Sequence, residues 1–262
     1  MDDEKKSLPP SLNVQGYLAR IRLQRPAHAN RLEPEDLQTL LDFCARLSRD
    51  TTVRAVVLEA EGRHFCAGYD IRRILSIAEN TPVGPLDNPF EAVVEAVERL
   101  PQPTIARLHG GVYGGATDLA LACDLRIGTS ATEMFMPAAQ LGLLYYPSGI
   151  RRFTQRLGVR HAKELFLLGE KLDAAAMLRM GFLNELVAEE ELDRRIARLT
   201  DRLCEQAPLA IRGAKQAIDA LARGDFDVDA FKEREAETLR SADLKEGVAA
   251  WAEKRAPKFQ GR

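Results

Sequence analysis

Two glycine-bearing segments carry residue types suited to holding a developing negative charge. The first is Arg63-His64-Phe65-Cys66-Ala67-Gly68-Tyr69-Asp70-Ile71. Cys66, Ala67 and Gly68 are small, so a ligand can approach the main chain closely. Asp70 is suited to capping a following helix, and a plain strand-to-helix turn with such a cap is the structural alternative. The second segment is His109-Gly110-Gly111-Val112-Tyr113-Gly114-Gly115-Ala116-Thr117-Asp118. Its glycines stand just before a predicted helix, Ala116 to Cys123. The N–H groups of a first helical turn have no partner inside the helix. They also lie at the positive end of the helix dipole. A donor of this kind, aimed at an oxyanion, stabilises it by about 3 kcal/mol in related sites. The spacing G-G-x-x-G-G is not the G-x-G-x-x-G of a dinucleotide loop, and no acidic residue follows about 20 positions later at a second strand end.

Asp118 lies one turn inside that predicted helix, among Ala116, Leu119, Ala120 and Leu121. A carboxylate on an apolar helix is costly unless exposed, paired or functional. It is a candidate general base or water-positioner; the alternative is a buried ion pair with an arginine. A nucleophilic hydrolase is disfavoured: there is no G-x-S-x-G, and Ser148 and Cys66 have no recognisable base nearby in sequence.

These segments need strands before them and helices after them, and the flanking pattern supplies both. Leu12 to Gln24 alternates around Val14, Tyr17 and Ile21 and predicts a strand, with residues 1–11 a loose tail. Pro34 to Arg49 places Leu37, Leu40, Leu41, Cys44 and Leu47 at helical spacing, with proline and acids in its first turn. Val53 to Leu58, Thr104 to Leu108 and Leu125 to Gly128 predict short buried strands between helices, hence an α/β core. Asn80 to Pro89 predicts an exposed loop beside the site, and Pro101-Gln102-Pro103 ends a helix. From Arg160 to Arg255 the pattern is nearly all helical, with helices predicted over Glu189–Gln206, Pro208–Arg223, Asp229–Arg240 and Ala242–Lys254.

Composition narrows the function. The chain has 262 residues, 45% hydrophobic and 29% charged, with net charge −2. A length of this kind buries a core without staples. No concentrated basic face calls for nucleic acid or a membrane surface. No run long enough to span a bilayer is present, and the polar start MDDEKKSLPPS is unlike a secretory signal. Four scattered cysteines and four scattered histidines suggest neither a disulfide framework nor a metal site, and fit a cytoplasmic, reducing setting. A non-enzymatic helical interaction module is disfavoured, because a scaffold gains nothing from four flexible residues at a helix start.

Together the segments resemble the crotonase (enoyl-CoA hydratase/isomerase) superfamily. Phe65 to Asp70 looks like its F-x-A-G-x-D signature, and Gly110 to Ala120 like G-x-x-x-G-G-x-x-(E/D)-L-A. Gln140-Leu141-Gly142 through Gly149, and the tail Trp251 to Phe259, also match in order. The resemblance implies a ββα-spiral acyl-CoA-binding core over residues 12–200, with two nearly perpendicular sheets. A helical C-terminal region over 201–262 would then build a homotrimer or a dimer of trimers. It implies that Tyr69 and Gly115 donate N–H bonds to a thioester oxygen, beside Gly114. It implies substrate contacts from Arg25, His28 and Ala29, from Cys66, Ala67, Gly68, Asp70 and Ile71, and phosphate contacts from Arg63, Arg72 or a neighbour's Lys258. Coenzyme A would be part of the substrate, with no separate cofactor.

One departure bears on the reaction. The two-glutamate hydratases carry acids at two positions; here these are Asp118 and Ala138. Alanine moves no proton, aspartate is one methylene shorter than glutamate, and about 1 Å of misplacement can cost ~100-fold. Gln140 can hold a water but is neither acid nor base. Three outcomes stay open: a hydratase-like lyase relying on Asp118, an acyl-CoA decarboxylase, or a CoA-binding homologue with little activity; an enoyl-CoA isomerase is a further alternative. For decarboxylation, Gly142-Leu143-Leu144-Tyr145-Tyr146-Pro147 is similar to the tyrosine-bearing loop of methylmalonyl-CoA decarboxylase, and Tyr145 would orient the leaving carboxylate or donate a proton. The tyrosines can equally be packing residues.

Overall fold

A computed structural model describes residues 7–70 and 88–262. Ile71, Arg72 and all of the expected loop except Asn88 and Pro89 lie outside the described residues. The chain winds as a repeated unit: a strand in a large sheet, a short extended piece in a second sheet, then a helix. Strands β1 (Leu8–Gln15), β2 (Leu18–Gln24), β3 (Ala55–Ala60), β4 (Thr104–Arg107), β6 (Leu125–Thr129) and β9 (Glu185–Val187) form the large sheet in that order. β5 (Gly111–Tyr113), β7 (Glu133–Phe135) and β8 (Leu172–Asp173) form the second. β2 through β9 of the large sheet pair in parallel. Such strands are covered on both faces, which is why Ala55-Val56-Val57-Leu58 reads as an unbroken apolar run.

The helices that matter for the site are α1 (Pro34–Arg49), α2 (Pro89–Glu98), α3 (Gly115–Ala122) and α4 (Pro147–Leu168). After them come α5 (Ala174–Arg179), α6 (Leu192–Cys204), α7 (Pro208–Arg223), α8 (Val228–Arg240) and α9 (Ala242–Ala252). α1 has the predicted bounds and begins with a capping box between Glu33 and Asp36. α2 begins where Asn88 Oδ1 accepts from the N–H groups of Phe90 and Glu91, so the predicted loop ends in a helix start at Pro89. On the outer face of the large sheet, Leu192 and Ile196 of α6 pack on Val57, Ile105 and Ile127.

Three expectations are corrected. Leu12–Gln24 is a hairpin and not one strand: the chain reverses at Gly16 (φ 57°), leaving Tyr17 in the turn with the Arg54 guanidinium 3.9 Å over its ring. The first strand begins at Leu8, inside the expected tail; β1 is an edge strand with a register shift between Leu8 and Ser11, a place that tolerates Pro9 and Pro10. The C-terminal third is not uninterruptedly helical, because β9 pairs with β6. A three-residue strand has too short a period to announce itself, and its sheet partner fixes it.

Candidate active site

The two glycine-bearing segments lie side by side. Phe65 N–H donates to the His109 carbonyl (3.0 Å), Cys66 N–H to Gly111 (3.3 Å), and Tyr113 N–H to Cys66 (2.9 Å). The first segment thereby runs along β5 and ends against the start of α3. Gly68 has φ 83°, and a Cβ there would fall 2.8 Å from Gly115 N and 2.9 Å from the Tyr113 carbonyl. No side chain fits between the two turns, which is the physical need for glycine. Gly114 (φ 54°, ψ −126°) makes the bend that starts α3. Gly115 N–H donates to no carbonyl among the described residues. The Tyr69 amide follows Gly68 directly, and Tyr69 bridges to Leu32 on its other side. The two backbone strips are thus adjacent.

They open onto a cavity of about 350 Å³. Its wall is mostly apolar: Ala67, Phe90, Met136, Ala138, Leu143 and Tyr145 are among its residues. Phe90 ties its parts together. Its ring lies 6.2 Å from that of Tyr69 and 6.3 Å from that of Tyr146. A Cβ on Gly115 would meet it at 2.7 Å.

Asp118 is fully buried and is not among the residues lining this cavity. The arginine pairing that the sequence left open is what the structure contains. Arg152 Nη1 donates to Asp118 Oδ1 at 2.7 Å, and both side chains are 0% exposed. Arg152 also donates through Nε to Glu98 Oε1 at 2.9 Å, and Arg151 reaches Glu98 Oε2 at 2.8 Å. Tyr146 OH donates to Asp118 Oδ2 at 2.5 Å, and Tyr145 OH donates to Tyr146 at 3.1 Å. Burial raises the Asp118 carboxyl above its ordinary value, against the pull of Arg152 and of the Tyr146 hydroxyl. Burial also pushes both tyrosine hydroxyls upward, so each stays a proton donor in the neutral form.

Of the residues singled out from sequence, Ala67, Tyr69, Gly114, Gly115, Ala138 and Tyr145 line the cavity. Arg25, His28, Ala29, Cys66, Gly68, Asp70 and Asp118 do not. The Arg25 guanidinium is committed to Asp36 (2.7 Å) and Glu35 (2.8 Å), holding α1. His28 is exposed, while Ala29 accepts a bond from Ala67 N–H at 2.8 Å. Asp70 faces Arg31 at 3.7 Å. The Cys66 thiol is pushed up to about 12 by burial and is no nucleophile. Gln140 donates to the Gly169 carbonyl (2.8 Å) and does not line the cavity. Phe90 and Glu91 were not singled out, and Tyr146 was named only as part of the tyrosine-bearing stretch without a role of its own, yet all three line it. The Asn88-Pro89 helix start was the available signal for the first two.

Among the described residues no group of three or more His, Cys, Asp or Glu is placed to hold a metal. No described helix is long and apolar enough to cross a membrane.

Residues 13–262 match the family model described as enoyl-CoA hydratase/isomerase. A mouse (Mus musculus) protein named enoyl-CoA hydratase domain-containing protein 2, mitochondrial, is 34% identical over 97% of this chain and 90% of its own length. The short-chain-enoyl-CoA hydratase of Clostridium acetobutylicum is 30% identical over 93% of this chain and 94% of its own. A crystal structure of an enoyl-CoA hydratase from Bacillus anthracis superposes with a TM-score of 0.85 at 26% identity, over 97% of this chain and 100% of that one.

Proposed function

Because the chain belongs to the enoyl-CoA hydratase/isomerase family, we propose that it is a hydratase-like lyase acting on an acyl-CoA thioester, with the thioester oxygen held between the N–H groups of Tyr69 and Gly115. The observation that carries this reading is the contact of the two glycine turns, Gly68 against Gly115 N, beside an apolar cavity. Hydrogen bonds to the thioester oxygen draw electron density out of the Cα=Cβ bond and open Cβ to water. As the water oxygen bonds to Cβ, charge collects on the thioester oxygen, and donors preorganised in a water-poor site stabilise that charge. Coenzyme A enters as part of the substrate, and water addition needs no separate cofactor.

Asp118 then acts through Tyr146. Its carboxylate takes the Tyr146 proton as a hydrogen bond and fixes the hydroxyl, leaving the phenolic oxygen to accept from Tyr145 and from a water in the cavity. Asp118 is a positioning residue in this scheme, and Tyr146 touches the reactants. Tyr146→Phe should lower kcat about tenfold with KM within threefold. It should also cost about 1–3 kcal/mol of stability, since Asp118 Oδ2 is left buried without its donor. Steady-state rates and a thermal melt check both; an unchanged kcat would remove the hydroxyl from the reaction.

The deciding experiment offers the purified protein a panel of enoyl-CoA thioesters, crotonyl-CoA included, and methylmalonyl-CoA separately, with products read by mass spectrometry. Gain of one water by an enoyl-CoA supports the proposal. Carbon dioxide release from methylmalonyl-CoA without hydration of any enoyl-CoA would replace it by decarboxylation. That second reading has a specific ground: Ala138, where the two-acid hydratases carry an acid, and a hydrogen-bonded tyrosine pair line an apolar cavity. A homotrimer or dimer of trimers belongs to the same proposal. Leu244, Val248 and Trp251, exposed by 40%, 64% and 88% on α9, support it. A cytoplasmic location is part of the proposal too, and the four free cysteines support it.

A further inference from the structure

We propose that Glu91 is the proton-transferring carboxylate of this site, the base that takes a proton from the attacking water; this rests on the hydratase reading. The acids at the two positions expected to do this work are out of reach or missing. Asp118 is behind Tyr146 and bound to Arg152, and position 138 is alanine. Glu98 is buried against Arg151 and Arg152. Among the described residues lining the cavity, Glu91 is the one carboxylic acid.

Its placement follows from α2. Asn88 caps the helix and Glu91 falls in the first turn, one residue from the Phe90 ring that touches both the Gly115 turn and Tyr146. Ser148 Oγ, at the start of α4, donates to Glu91 Oε1 at 2.5 Å. Oε2 accepts no hydrogen bond among the described residues, so one oxygen is anchored and the other is available. The Glu91 charge reaches the Tyr145 hydroxyl and opposes its ionisation. The carboxylate therefore belongs to the wall of the same cavity that Tyr69, Gly115, Tyr145 and Tyr146 line.

The step balances. Glu91 Oε2 takes a proton from water while the water oxygen bonds to Cβ. The Cα=Cβ electron pair moves into the thioester, whose oxygen becomes the enolate oxygen between Tyr69 and Gly115. As the carbonyl re-forms, Cα takes the proton from Glu91, which returns to a carboxylate. One water has been added and nothing is oxidised or reduced.

Glu91→Gln keeps the shape and the bond from Ser148 but removes the base. It should lower kcat about 100-fold, on an enoyl-CoA that the wild type hydrates. Affinity for butyryl-CoA, a saturated thioester that cannot be hydrated, should stay within threefold by calorimetry. Glu91→Asp should recover part of the rate. A Glu91→Gln protein with kcat within threefold of wild type would overturn the assignment and leave the hydratase reading standing. Joint loss of turnover and butyryl-CoA binding would assign Glu91 to packing and overturn it too. A wild type that hydrates no enoyl-CoA would overturn both.

Discussion

Gly115→Pro is expected to lower kcat about 100- to 1,000-fold relative to Gly115→Ala, the size of effect that loss of one oxyanion donor produces. The comparison with alanine is needed because any side chain at 115 meets Phe90, whose Cζ lies 2.7 Å from the position of a Cβ. Both variants pay that steric cost. Both also suit the backbone in principle, since Gly115 is the first residue of α3 and proline is accepted there. What separates them is the N–H. Alanine keeps it, whereas proline deletes it and puts its ring Cδ where the hydrogen pointed, so the ratio of the two rates reports the loss of the donor together with the carbon that takes its place. Steady-state kinetics on an enoyl-CoA from the panel gives the ratio, and thermal melts verify that both variants fold. Equal rates would mean that the Gly115 amide holds no developing charge, and the proposed chemistry would lose its main support.

The amide turns were legible in sequence because backbone chemistry leaves a signature in residue type. Gly68 and Gly114 mark positions where φ is positive, and Gly68 also marks where a second strip of main chain passes too close for a Cβ. Elements with a long period were legible for a similar reason: α1 and α7 have the predicted bounds. Side chains brought in from distant segments were not. Arg152 is 34 residues from Asp118, and nothing in the local pattern of either says that they meet. Glu91 and Ser148 are 57 residues apart, joined by the packing of α2 against α4. Tyr17 was misplaced because a hairpin turn of two residues keeps the alternation of its strands almost intact, so the period continues across the reversal. Local physics announces the oxyanion turns, whereas the acid–base residues depend on which helices pack together.

Arg152→Met is expected to be the most destabilising single change considered, at about 3–5 kcal/mol, the usual result of breaking a buried ion pair from one side. Arg152 is fully buried and serves two carboxylates at once, Asp118 at 2.7 Å and Glu98 at 2.9 Å. Methionine fills much of the volume but leaves Asp118 with the Tyr146 hydroxyl alone. At about 2–4 °C per kcal/mol for a chain near this size, the melting temperature should fall roughly 6–20 °C. The pH dependence should move as well. Burial by itself would raise the Glu98 carboxyl, but the bonds and charge of Arg152, with those of Arg151, bring it down to about 2. A carboxyl held below its ordinary value contributes stability that is fully present above about 4.5 and is lost as the pH falls toward about 2. With Arg152 removed, burial gains on the remaining attraction, so the acid-side loss should begin at higher pH. Adding Asp118→Asn to Arg152→Met should recover part of the stability, because it removes a buried charge that the first change stranded. If Arg152→Met instead costs under about 1 kcal/mol, Asp118 is carrying its own proton in the folded protein. The Tyr146 hydroxyl would then be held by a neutral acid, and its proposed part in orienting water would need a different source of order.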